Sequence, residues 1–241
     1  MEFDSFNIEE NKFLLRKKIR LSVVPAIVLS ALLWIVFVVD YSGLTDFNFS
    51  RLGVYPLKLS GLWGVIFSPF IHASFSHLLS NTIPLIILMS MLFYFYSPIA
   101  FSSFALLWLF SGIITWFIGR NSFHVGASGL VFALVFFLFF SGLLRRHIPL
   151  VAVSMIVAFV YGGTVWSMFP VTQYIDVSVS WEAHLAGAIA GLMVALLYRK
   201  QGPQKPVIVW AEEEQEEETI EPLEIESDVS VTADDNEAEN L

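Results

Sequence analysis

Residues 181–198 read Trp181-Glu-Ala-His184-Leu-Ala-Gly187-Ala-Ile-Ala-Gly191-Leu-Met-Val-Ala-Leu-Leu-Tyr198. After Glu182 and His184 nothing in the stretch is ionisable until its closing tyrosine, and Arg199-Lys200 follow. A helix needs roughly 20 apolar residues to cross a bilayer, so this segment is read as a membrane span. Gly187 and Gly191 stand three and seven residues after His184, on the same helix face. Small residues at that spacing let a second helix approach closely in lipid. His184 therefore lies at the start of a span, on the face that meets a neighbour. An ionisable residue in such a place is a functional candidate by default.

Five more apolar stretches precede it, near 21–39, 76–97, 101–118, 127–143 and 148–168. With 56 % hydrophobic residues in runs of this length, a single water-soluble core is excluded. The first stretch has no convincing cleavage site and exceeds the apolar region of a signal peptide, so it is read as a retained span. The expected fold is an all-α membrane protein with six transmembrane helices. Residues 41–75 are too polar for a clean span and too apolar for a solvated loop. They are expected to be a membrane-embedded or interfacial segment packed on protein.

The chain divides by charge. Residues 201–241 carry 14 Asp/Glu and one Lys, whereas residues 1–200 carry 8 Asp/Glu against 12 Lys/Arg. This suggests a polar N-terminal segment (1–20), a six-span body (21–200) and an acidic disordered tail (201–241). Six spans put both termini on one side. That side collects Lys12, Arg16, Lys17, Lys18, Arg20, Arg145, Arg146, Arg199, Lys200 and Lys205, and the other only Arg51, Lys58 and Arg120. The bias predicts cytoplasmic termini. No concentrated basic face suits a nucleic acid. The absence of cysteine excludes a thiolate nucleophile or thiolate metal site.

Spans two, four and six all enter from the outer side, and each opens with polar groups. Span two has His77 and Asn81, span four has Gly126-Ala127-Ser128-Gly129, and span six has His184. The four polar side chains should share one depth. Serine needs a base to become a nucleophile, and histidine is the usual one. Ser128 begins a helix, where backbone N–H groups and the dipole favour an oxyanion. His77 and Asn81, four apart, can both donate toward it. No carboxylate is placed to orient His184, and Glu182 should point elsewhere, so a Ser128–His184 dyad is expected.

The residues His72-Ala-Ser-Phe-Ser-His77-Leu-Leu-Ser-Asn81, Gly126-Ala-Ser128-Gly129 and Ala183-His184-Leu-Ala-Gly187-Ala-Ile-Ala-Gly191 resemble the rhomboid family of intramembrane serine proteases, in its bacterial six-span form. The resemblance covers residues 21–200. It implies Ser128 as nucleophile, His184 as general base, and an oxyanion hole of His77, Asn81 and the Ser128 N–H. It implies supporting roles for His72, Gly126, Gly129, Phe132, Gly187 and Gly191. It also implies single-span membrane protein substrates cut near the outer face. No cofactor is expected, and the compact six-span form without a transit peptide suggests residence in a bacterial inner membrane. Two positions depart from the family pattern. The Trp-Arg pair of the first loop is Trp63-Gly64 here, and the tyrosine that stacks on the catalytic histidine is Phe132, which has no hydroxyl.

Two rival readings stand beside this one. Four outer-side histidines (His72, His77, His124 and His184) would suit a metal-dependent hydrolase, but no HExxH or completing carboxylate accompanies them. A non-catalytic relative that binds membrane clients would not need Ser128 and His184. The acidic tail could serve an unidentified partner, although a solvated tail is the simpler expectation.

Overall fold

The computed structural model describes residues 2–44, 46–170 and 180–206, with side chains from residue 9 onward. From residue 207 onward the expected acidic tail (201–241) lies outside the described residues. Among the described residues, six long helices carry the fold: α1 (Glu2–Tyr41), α2 (Phe75–Phe95), α3 (Ala100–Ile118), α4 (Ser128–Arg145), α5 (Ile148–Tyr161) and α6 (Trp181–Leu197). No named strand occurs among the described residues. Among the described residues, five segments are long and apolar enough to cross a membrane: Glu9–Tyr41, Phe75–Phe95, Ser97–Ile118, Ser128–Arg145 and Ile148–Met168. The sixth, α6, has 17 residues, about 26 Å of helix, at the short end of a span.

The helices match the expected spans apart from one boundary. The polar N-terminal stretch is helical and continuous with the first span in α1. Lys, Arg, Glu and Leu dominate that stretch, and all are good helix formers. α1 and α2 run antiparallel, tied by the Trp34 indole donating to Thr82 Oγ1 at 3.2 Å. α4 is the central helix, with Leu134, Phe137 and Leu138 fully buried.

α4 and α6 pack closely because glycine allows it. A Cβ on Gly187 would collide with the Gly129 carbonyl, and one on Gly191 would lie 2.7 Å from Phe136 Cβ. At the other end of α4, Arg145, one of the inner-side cations, is only 5 % exposed. Its guanidinium donates to the carbonyls of Tyr198 and Gln201 at 2.6 Å, to Pro203 O at 3.1 Å and to Ser141 Oγ. It also lies over the Tyr96 ring. Arginine's planar fork, with five donors, binds the chain end leaving α6 to the core.

Residues 46–74 form the irregular segment expected from sequence. Among its short turns, Leu59–Trp63 and Gly64–Phe67 pack on α3, and Ser68–Phe70 packs on α1 and α4. Indole donors satisfy loop carbonyls: Trp108 Nε1 to Val65 O at 3.0 Å and Trp116 Nε1 to Lys58 O at 2.9 Å. Gly64 stands where any Cβ would collide with the backbone of Gly53 and Val54. The departure from Trp-Arg thus has a steric reason, and the two indoles anchor the loop.

Candidate active site

Each polar group of interest is set by a helix start. Ser74 caps α2 by accepting from the His77 N–H at 3.2 Å, which puts His77 in the first turn and Asn81 one turn on. Ser180 caps α6 in the same way through the Ala183 N–H, also at 3.2 Å, with His184 in the first turn. α4 begins at Ser128 itself. Its N-cap is Ala127, which has no side-chain acceptor to occupy the free N–H groups of the first turn.

The approach to Ser128 is pinned residue by residue to the irregular segment. His124 and Val54 exchange backbone hydrogen bonds at 2.8 and 2.9 Å. The Gly126 N–H donates to Ser68 O at 2.9 Å, and the Ala127 N–H points to His72 Nε2 at 3.4 Å. Gly126 has φ +107°, and a Cβ there would lie 2.7 Å from His77 Cε1. Only glycine meets both conditions. His72 is 3 % exposed, its ring 5.1 Å from that of His77. Burial, and then the nearby His77, push its pKa down to about 4, so it is neutral and able to accept from Ala127.

One cavity of about 550 Å³ is lined by His77, Asn81, Ser128, Phe132, Ser167 and His184. His184 is held on two sides. Its ring stacks on Phe132 with centroids 4.4 Å apart and planes 12° apart. Its Nδ1 lies 3.1 Å from the Ser167 carbonyl oxygen and 3.1 Å from Ser167 Oγ. The Ser167 hydroxyl donates to Thr164 O at 2.7 Å and the Ser167 carbonyl only accepts, which assigns the proton to Nδ1 and the free lone pair to Nε2. Asn81 is 4 % exposed, and its Nδ2 has no protein partner. A buried amide left with unused donors at a cavity is poised to serve an acceptor that arrives from outside.

A second polar group borders this cavity. His124 Nε2 donates to Arg120 O at 3.0 Å, which leaves Nδ1 to accept from the Ser180 hydroxyl at 2.6 Å. Burial lowers the His124 pKa, consistent with this neutral form. Glu182, 2 % exposed, faces Arg120 Nη1 at 3.6 Å. Glu182 thus turns toward the α3–α4 connection. His124 lines the cavity and also joins that connection to the cap of α6.

Sequence reasoning missed Ser167 and Ser180. Ser167 acts through a backbone carbonyl, which no residue type reveals. It is delivered by Gly162–Met168, a 3₁₀ segment that begins at the Gly162-Gly163 pair. Ser180 was legible as an N-cap residue directly before the span. Among the described residues, no three His, Asp or Glu side chains come together as metal ligands would.

A family model described as Rhomboid domain matches residues 59–201. Uncharacterized proteins of Mycobacterium tuberculosis and Mycobacterium bovis are each 40 % identical over 177 residues, covering 69 % of this chain and 71 % of theirs. One of Mycobacterium leprae is 38 % identical over 178 residues, covering 69 % of this chain and 67 % of its own.

Proposed function

The chain belongs to the rhomboid family, and from that premise we propose that it is a serine endopeptidase cutting membrane-protein substrates through Ser128 and His184. The observation that carries this reading is the state of His184. With Nδ1–H held by the Ser167 carbonyl, Nε2 is the free base, in the same cavity as the Ser128 hydroxyl. His184 Nε2 takes the hydroxyl proton as Ser128 Oγ attacks the scissile carbonyl carbon. The developing oxyanion receives hydrogen bonds from Asn81 Nδ2, His77 and the Ser128 N–H at the head of α4. His184 then returns the proton to the leaving amine. Water, deprotonated by the same imidazole, hydrolyses the acyl-enzyme. The Ser167 carbonyl fills the orienting role that a carboxylate fills in a triad, and Phe132 holds the ring plane.

The substrates in this reading are single-span membrane proteins, cut near the outer face. The enzyme resides in a bacterial inner membrane with both termini cytoplasmic, as the Lys/Arg distribution supports. The test is labelling of purified protein with a fluorophosphonate. The reading expects one labelled serine, no labelling of Ser128→Ala, and no effect of a chelator. Undiminished labelling or cleavage by Ser128→Ala protein would sink it.

A further inference from the structure

The polar contacts at the start of α6 take no part in the chemistry above, yet they bear on where His184 stands. Two residues of the connection between α3 and α4, Arg120 and His124, reach the first turn of α6. The Ser180 hydroxyl donates to His124 Nδ1 at 2.6 Å, and its oxygen accepts from the Ala183 N–H at 3.2 Å. One hydroxyl thus caps the helix and ties it to the connection. His124 is fixed in turn by its Nε2–H, which donates to Arg120 O at 3.0 Å, and by its backbone pairing with Val54. Two residues past Ser180, Glu182 is 2 % exposed and faces Arg120 Nη1 at 3.6 Å. Its Oε2 makes no hydrogen bond among the described residues, so the attraction there is between charges. The same connection runs on through Gly126 and Ala127 into Ser128. Ser128 stands four residues after His124, and His184 two after Glu182.

We propose that Glu182 and Arg120 are positioning residues for the dyad. Their ion pair, together with the His124–Ser180 hydrogen bond, locks the first turn of α6 to the connection that carries Ser128, and so sets His184 against the nucleophile. The inference rests on the protease reading. Gly187 and Gly191 bring α6 against α4, but both lie after His184. The turn that holds His184 is a helix end, and helix ends fray unless something holds them. Attachment at two points, Ser180 and Glu182, opposes both fraying and rotation of that turn. An exposed ion pair would contribute little. Glu182 is buried, and a buried carboxylate separated from its cation is costly, which gives the pair a definite geometry to return to.

The probe is a fluorophosphonate, whose reaction with the purified full chain resolves into a limiting labelling rate and a half-saturating concentration. Glu182→Gln should lower the limiting rate about tenfold and leave half-saturation within about twofold, because a base misplaced by a fraction of an ångström costs rate rather than binding. Arg120→Gln should lower the rate further, since it leaves the Glu182 carboxylate buried without its cation. Arg120→Lys should keep most of the rate. Adding Glu182→Gln to Arg120→Gln should bring the rate back up to that of Glu182→Gln alone, a recovery that only a coupled pair gives and that a generally damaged fold does not. Labelling of Glu182→Gln protein at the wild-type rate would overturn the proposal. So would a double variant whose losses add, or an effect confined to half-saturation, which would assign Arg120 to ligand binding. Wild-type protein that takes no label at Ser128 would remove the protease reading and this inference with it, a result distinct from labelled wild type with indifferent variants.

Discussion

At the scale of single residues, the proposed chemistry separates atoms that react from atoms that hold. Ser128→Ala and His184→Ala should each lower proteolysis by at least about 10³-fold with little change in thermal stability. The double variant should be no worse than either, because nucleophile and base act as a unit. Asn81→Ala should cost about 10²–10³ in kcat through the lost oxyanion donor. Ser167→Ala should cost less than about tenfold, since the carbonyl that orients His184 belongs to the main chain. A loss as large as that of His184→Ala would show that Oγ, not the carbonyl, does the orienting. His72 makes a prediction about pH. Its pKa falls from the ordinary 6.5 to about 4 in the folded chain. Well above 6.5 His72 is unprotonated in both states and adds no pH dependence to stability. Between 6.5 and 4 the unfolded chain takes up a proton that the folded one refuses, so stability falls as pH falls, by up to about 3 kcal/mol. Melting temperature against pH in detergent should decline over that window, and His72→Gln should flatten the decline.

At the scale of elements, close helix contact is the controlling variable. Gly187→Val should separate α6 from α4, because even a Cβ at that position meets the Gly129 carbonyl. Both melting temperature and activity should drop. Gly126→Ala should act differently. Its φ of +107° and the His77 ring oppose a methyl, but the strain is local to the entry of α4. Activity should fall at least about tenfold while most of the thermal stability remains. A variant that kept full activity would mean that the loop before Ser128 adjusts freely, and that its pinning to Ser68 and His72 is not needed for catalysis. Ser128 therefore depends on two supports, the α4–α6 contact and the irregular segment beneath residues 124–127. The indoles of Trp108 and Trp116 hold the second from α3.

At the scale of the whole molecule, the proposed topology puts both termini on the face away from Ser128. Protease applied to the outer face of sealed vesicles should leave the tail intact. Deleting residues 207–241 should leave the rate on a detergent-solubilised substrate near wild type, since about 30 Å of hydrocarbon exceeds a Debye length of roughly 8 Å. A large fall in rate at unchanged stability would show coupling between tail and site. The sequence by itself determined the all-helical membrane class, because apolar runs long enough to span can only bury their backbone as helices. It also placed His77, Asn81, Ser128 and His184 at the starts of alternate spans, because topology follows from span count. Three features lay beyond it. The Ser167 carbonyl beside His184, the Arg120–Glu182 pair and the burial of Arg145 each join residues at least 17 positions apart. They rest on main-chain atoms or on side chains whose partners are fixed only when helices pack. Residue type and spacing report which groups can make such contacts, and tertiary structure alone decides which of them meet.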